Sequence, residues 1–184
     1  MQKFYPQNDY RIVVLDGKPI SAYQRIPLFV VGDGVSTLET LILSKQAYFD
    51  KIGRDTRISP IDARIQCKIS NLGLSMDYIP FDGEKLTLQD ISNLSAGGET
   101  LELTNKIHPT YSELSKRIAT DMNLDLCGID IITKDITAPL SDYVVLEINS
   151  SPGLDNYAYQ GQTQETYVKN LYREIIKFII QKYS

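Results

Sequence analysis

Leu146-Glu147-Ile148-Asn149-Ser150-Ser151-Pro152-Gly153 is the stretch on which the reading of this chain turns. Residues i and i+2 of a strand point to the same side of a sheet. Glu147 and Asn149 therefore present two oxygen-bearing side chains to one point. A carboxylate with a carboxamide oxygen suits a hard cation such as magnesium, which takes one or two protein carboxylates together with phosphates and water. Pro152-Gly153 then turns the chain away. Upstream, Gly128-Ile129-Asp130-Ile131-Ile132 sets one aspartate among apolar residues on a predicted strand. A charge there is costly unless it is paired, hydrogen-bonded or bound to a metal. If the two strands are neighbours, Asp130 joins Glu147 and Asn149. The plainer readings are a solvated strand edge for Glu147-Ile148-Asn149 and a carboxylate satisfied by backbone amides for Asp130.

Working outward, Tyr10 to Leu15 and Pro19 to Ile26 flank Asp16-Gly17-Lys18 and read as a β-hairpin. Pro27 to Val31 is apolar and ends in the sharp loop Gly32-Asp33-Gly34. Ser36-Thr37-Leu38-Glu39 reads as a capping box, serine at the cap, opening a helix with Leu38, Leu41, Ile42 and Phe49 inward. A second helix is expected over Ile61 to Asn71, with Ile61, Ile65, Ile69 and Leu72 on one face and Gly73 ending it. Tyr78 to Leu88 reads as two short strands around Asp82-Gly83, and Asn93 to Glu99 as a glycine-containing loop. A helix over Tyr111 to Met122, with Leu114, Ile118 and Met122 at intervals of four, precedes strands at Leu126 to Thr133 and Tyr143 to Ile148. The last helix spans about Glu165 to Lys182, with Val168, Leu171, Ile175 and Ile179 inward; its apolar face suits an interface in a homo-oligomer. Hairpins mixed with helices point to α+β, a largely antiparallel sheet with packed helices.

Composition narrows the partners. The 184 residues are 42% hydrophobic and 23% charged with a net charge of −4, ordinary for a globular protein. No basic face or aromatic-basic stripe stands out, which argues against nucleic acid. No apolar run is long enough to cross a bilayer, and the first residues carry no signal-peptide pattern. Cys67 and Cys127 form neither a disulfide framework nor a zinc pattern, so the expected compartment is a reducing cytoplasm.

Asp130 followed by Glu147-Ile148-Asn149 resembles the magnesium-binding Asp…Glu-x-Asn triad of ATP-grasp enzymes. Asp9-Tyr10-Arg11-Ile12-Val13-Val14, Arg25-Ile26-Pro27, Val31-Gly32-Asp33-Gly34, Asn93-Leu94-Ser95-Ala96-Gly97-Gly98, Ile107-His108-Pro109 and Gly128-Ile129-Asp130 resemble blocks of one branch. That branch holds cyanophycin synthetases, the ligase half of bifunctional glutathione synthetases and related amino-acid ligases. The matches run in order over nearly the whole chain.

The resemblance implies an ATP-grasp C-terminal subdomain and a carboxylate–amine ligase. Asp130, Glu147 and Asn149 would hold two Mg2+ ions between the ATP phosphates, with a γ-phosphoryl passing to a substrate carboxylate and an amine attacking the acyl phosphate. Arg25, and Arg11 as a second candidate, would stabilise the phosphoryl group or the acyl phosphate, since a guanidinium meets phosphate oxygens bidentately. Asn93, Gly97 and Gly98 would shape a loop near the phosphates, where glycine lets backbone amides approach. Gln2 falls at the end of the adenine-binding hinge, a position more often glutamate in these relatives; Asp9 falls at an acidic ribose position, and Leu146 is grouped with the nucleotide-contacting residues. Plainer roles stand beside these: surface ion pairs for the arginines, turn chemistry for Asn93 and the glycines, and helix entry for His108.

The family's preceding region carries the phosphate-binding lysines and the glycine-rich flap. Residues 1–184 are thus expected to be the metal- and phosphate-binding part of a longer protein, lacking half the nucleotide cleft. Amino acids or peptides are the expected carboxylate and amine substrates. A nucleotide-binding module that kept the fold without the reaction, and an ATP-grasp phosphotransferase without an amine acceptor, are the alternatives.

Overall fold

In this computed structural model, which describes residues 5–183, the elements run in chain order β1 (Asn8–Leu15), β2 (Lys18–Ile26), β3 (Phe29–Val31), α1 (Leu38–Lys51), α2 (Ala63–Asn71), β4 (Lys85–Thr87), β5 (Glu99–Glu102), α3 (Pro109–Asp121), β6 (Leu126–Thr133), β7 (Tyr143–Asn149), α4 (Asp155–Ala158) and α5 (Gln162–Tyr183). Two compact units share them: Met1–Arg25, Thr100–Ala158 and Gln162–Ser184 form the first, Ile26–Glu99 with Tyr159–Gly161 the second.

The first unit is built on a five-stranded sheet in the order β5-β2-β1-β6-β7, with β1–β2, β1–β6 and β6–β7 antiparallel. The expected hairpin is present, and its turn residues Asp16 and Gly17 have φ of 49° and 68°. Two positive-φ residues give the turn whose twist matches that of the flanking strands. Strand alternation sends Tyr10, Ile12 and Val14 of β1 and Cys127, Ile129 and Ile131 of β6 to one face, where they form a core with Tyr111 and Ala119 of α3. His108 caps α3: its Nδ1 accepts from the Thr110 amide, and Pro109 occupies the first turn. Leu114 and Ile118 pack against this core beside the buried Tyr111, Ser115 and Ala119, but Met122 lies past the end of the helix and is exposed. In α5, Val168, Leu171 and Ile175 are buried as expected, but Ile179 is 48% exposed and joins Tyr172, Ile176 and Ile180 on an uncovered stripe.

The second unit pairs a two-stranded antiparallel sheet, β3 with β4, with helices α1 and α2. Leu38, Ile42 and Phe49 meet Ile65 and Ile69 over Leu28, Val30 and Leu88. Three expectations shift here. The cap of α1 is Thr37, whose hydroxyl accepts from the Thr40 amide, and not Ser36. Asp33 has taken Ser36: Oδ1 accepts from the Val35 and Ser36 amides and Oδ2 from the Ser36 hydroxyl. Asp62 caps α2 by accepting from the Arg64 amide, so the helix starts at Ala63 and leaves Ile61 82% exposed, with Leu72 exposed at the far end. Tyr78 to Leu88 contributes only the single strand β4; its partner is β3, and the Gly83 amide donates to Gly32 O.

Two outcomes follow. The hydrogen bonds to Asp33, first among them that from the Ser36 amide, lower its carboxyl pKa to about 2. Its contribution to stability is then fully present above the ordinary carboxylate value and is lost as pH falls through about 2. A carboxyl NMR titration with an ordinary midpoint would reject the turn as described. Ile129→Ala, at a fully buried position of the first unit, is expected to cost about 2–5 kcal/mol in urea unfolding.

Candidate functional site

The face of the first unit's sheet opposite that core carries the chemistry, and register explains how. Asp9 pairs across with Arg25, Arg11 with both Tyr23 and Asp130, Asp130 with Glu147, and Gly128 with Asn149. Arg11 grips Asp130 with two bonds, Nε to Oδ1 at 2.6 Å and Nη2 to Oδ2 at 2.7 Å. Arg25 Nη2 lies 3.0 Å from Asp130 Oδ2 and donates to Asp9 Oδ1 at 2.8 Å. At the outer end Glu147 Oε1 accepts from Asn149 Nδ2 at 2.9 Å and lies 3.6 Å from Arg11 Nη2. The expected neighbours, Asp130, Glu147 and Asn149, are thus brought together, and Arg11 and Arg25 stand among them.

A β-bulge makes this phase possible. Asp130 faces Glu147 but Ile131 faces Val145, so Leu146 is the extra, unpaired residue of β7. The bulge lets Val145 and Ile148, three positions apart, both pack on the core and turns Glu147 and Asn149 to the other face. Leu146 itself is exposed. Beyond Asn149 the backbone must pass close to β6: a Cβ on Gly128 would sit 2.8 Å from Pro152 Cβ. The chain then enters α4, whose Tyr157 stacks on Tyr23 with ring centroids 4.5 Å apart. Tyr157 and Tyr23 fix this edge of the site, and sequence reading missed both, since a stacked pair from distant segments leaves no local pattern.

Burial is graded along the cluster: the Asp130 side chain is 2% exposed, that of Glu147 59%. Two guanidiniums face three carboxylates, leaving one net negative charge. Desolvation works against the Arg11 charge, yet the bonds and the field of Asp130 outweigh it and raise its pKa. Burial raises the Asp9 carboxyl, opposed by Arg25. Asp9, expected at a ribose, stands here as the counter-charge of Arg25, with both of its bonds on Oδ1.

The donor chemistry fits magnesium at the open end. Among the described residues no three His, Cys, Asp or Glu side chains are placed to hold a metal. Mg2+ does not need three; it accepts one or two carboxylates and completes its shell with phosphate oxygens and water. Glu147 and the Asn149 carboxamide meet that requirement. Asp130 is nearly saturated, with Oδ2 taken by two guanidinium nitrogens and Oδ1 by one; a single acceptor position remains, on Oδ1.

Asn93, Gly97 and Gly98 belong to the second unit. Asn93 is exposed, and its side chain makes no bond to the short helical turn Leu94–Ala96 that it precedes. The glycine amides, expected to approach phosphate, are used inside the loop: Gly97 N donates to Leu94 O and Gly98 N to Asn93 O. The glycines are needed for shape. Gly97 has φ of 99°, and a Cβ on Gly98 would lie about 3 Å from three carbonyl oxygens. A residue that sequence reading passed over, Arg54, donates from Nη2 to both Leu94 O and Gly98 O at 2.6 Å. Gln2 lies outside the described residues.

Residues 88–179 match the model of the RimK-like ATP-grasp domain, a segment containing Asn93, Gly97, Gly98, Asp130, Glu147 and Asn149. A cyanophycin synthetase from Geminocystis herdmanii is 38% identical over 159 residues, covering 83% of this chain and 18% of that protein. A glutathione biosynthesis bifunctional protein from Streptococcus mutans is 32% identical over 176 residues, covering 89% of this chain and 23% of that protein. The chain therefore spans about a fifth of the length of these relatives. A crystal structure of a bifunctional glutathione synthetase from Pasteurella multocida shares the fold, with a TM-score of 0.70 and 24% identity over 94% of this chain and 25% of that one.

The graded burial predicts unequal costs. Asp130→Ala leaves two buried guanidiniums without their shared partner and is expected to lower unfolding free energy by about 3–5 kcal/mol. Glu147→Gln, at the exposed end, is expected to change it by less than about 1 kcal/mol. Equal losses in urea titrations would contradict the gradient. Gly128→Ala pushes against Pro152 and is expected to cost about 1–3 kcal/mol.

Proposed function

The chain belongs to the RimK-like ATP-grasp family, and from that premise we propose that it is the metal- and phosphate-binding part of an ATP-dependent carboxylate–amine ligase. The observation that carries the proposal is the meeting of Glu147 and Asn149 with Arg11 and Arg25 on one sheet face. The substrates proposed are amino acids or peptides, the class named by the glutathione and cyanophycin relatives.

In this reading Glu147, Asn149 and Asp130 would hold Mg2+, Asp130 having one acceptor position not taken by the arginines. When bound, the metal offsets phosphate charge as the γ-phosphoryl group leaves ADP. A substrate carboxylate oxygen takes that phosphoryl group, giving an acyl phosphate; the amine then attacks the acyl carbon, and phosphate departs as the amide forms. The chain's own share of this is electrostatic. Arg11 and Arg25 are anchored by Asp130, which fixes their direction, and their positive charge disfavours repulsion between the anionic carboxylate and the phosphate. The one-charge excess of carboxylate in the cluster favours a divalent cation over an anion until metal is present. Asp9 keeps the ribose assignment through its second oxygen, Leu146 a contact with nucleotide and Asn93 a contact with phosphate. The uncovered stripe of α5 is proposed as a self-association surface.

A second reading, a nucleotide-binding module without turnover, is favoured by the near-saturation of Asp130. The two separate on supplying Mg–ATP with amino acids and dipeptides to the full-length protein. A ligase releases ADP and phosphate only when carboxylate and amine are both present; a module binds Mg–ATP unchanged; AMP or a stable phosphorylated product points to a phosphotransferase. Glu147→Gln is expected to lower turnover by roughly 100-fold or more with the circular dichroism spectrum retained. Near-normal turnover in that variant would remove the metal assignment.

A further inference from the structure

We propose that Arg54 is a positioning residue for Asn93, clasping the Asn93–Gly98 loop from beneath so that the asparagine side chain is held outward in one direction. This rests on the phosphate-contacting role proposed for Asn93. The Arg54 side chain is buried, the residue being 4% exposed, and among the described residues no carboxylate forms an ion pair with it. Burial lowers its pKa. A guanidinium kept in such a place is costly unless it is hydrogen-bonded, and here the bonds are specific. One nitrogen, Nη2, reaches the carbonyls at the two ends of the loop, Leu94 O and Gly98 O, both at 2.6 Å. Nε donates to Thr56 Oγ1 at 3.1 Å, and the guanidinium lies over the Phe49 ring, 4.3 Å from its centroid.

The loop needs such a clasp. Its inner side crowds carbonyl oxygens: those of Ile26, Ser92 and Asn93 all approach Gly98. The amides of Ala96 and Gly98 both turn to Asn93 O, which fixes the peptide carrying the Asn93 carbonyl. Leu94 O, the next carbonyl, is fixed by Gly97 N and Arg54 together. The Asn93 backbone, at φ −66° and ψ 127°, is therefore set by bonds that close through Arg54, while its side chain is spent on none of them. Lysine has one nitrogen on a flexible stem and cannot span two carbonyls, hold Thr56 and stack on an aromatic ring at once.

The test is a double-mutant cycle in the full-length protein, with Mg–ATP turnover and amide hydrogen exchange read for Asn93→Ala, Arg54→Lys and the pair. Arg54→Lys is expected to speed exchange at Ala96, Gly97 and Gly98 by about tenfold while amides within α1 keep their rates. It should lower turnover by about tenfold in the parent and by less than about twofold in the Asn93→Ala background, the coupling expected of groups that act as one unit. Equal fold-losses in both backgrounds, or an unchanged parent turnover with a loosened loop, would overturn the positioning role and leave the ligase reading standing. Parent-like turnover in Asn93→Ala alone would remove the phosphate contact of Asn93 and this inference with it. Should Arg54→Lys not fold, Thr56→Val, which withdraws only the Nε partner, runs through the same cycle with smaller losses of the same pattern.

Discussion

A carboxylate placed in the middle of a sheet, away from water, imposes a condition on everything around it. Asp130 remains tolerable because Arg11, directly opposite on the neighbouring strand, and Arg25, one strand further, both reach it. That needs β1 between β2 and β6, the order the sheet adopts. Arg25 in turn requires a counter-charge and finds Asp9 across the hairpin. The charges are compensated most completely where they are most buried, and least at Glu147. Solvation and pairing therefore leave the outermost carboxylate as the group with capacity for an external cation. Buried ion pairs gain little in stability over apolar packing, which makes a sheet that spends five charged side chains on one face hard to account for by folding alone.

Much of the fold was legible because its signals are local. A β-branched run and turn residues identified the β1–β2 hairpin, strands were expected where β6 and β7 lie, and spacing of three and four identified α1, α3 and α5. What failed was decided by competition between equivalent groups. Ser36 and Thr37 can each cap a helix, and Asp33 settled the matter by taking the serine. Ile61 continued the apolar spacing of α2, but Asp62 started the helix after it. Ile179 of α5 was read as inward because periodicity reports a face and not what lies against it; it is exposed beside Ile176 and Ile180.

The site divided along the same line. Glu147 and Asn149 lie two residues apart on one strand, so their common direction could be read from the sequence, as could the cost of a lone aspartate at position 130. That Arg11 would be the partner, 119 residues away, could not be read from residue types or spacing. At the two glycines, 97 and 98, the backbone does come close to other atoms. What it approaches is its own carbonyl groups and hydrophobic core, with Leu28 and Ile58 against Gly97. Arg54 sits in a stretch with no apolar rhythm and no motif, and only the folded chain reveals what it holds.

The unpaired residue in β7 has a consequence for how this strand can vary. Val145 and Ile148 answer to the core, while Glu147 and Asn149 face the charged cluster on the other side of the sheet, and Leu146 lies between the two obligations. By absorbing one residue out of step, it disengages the two halves of the strand. Substitutions that refit the segment before it to a changed interior need not rotate the pair of oxygen donors after it, so the scaffold and the chemistry can drift on separate clocks.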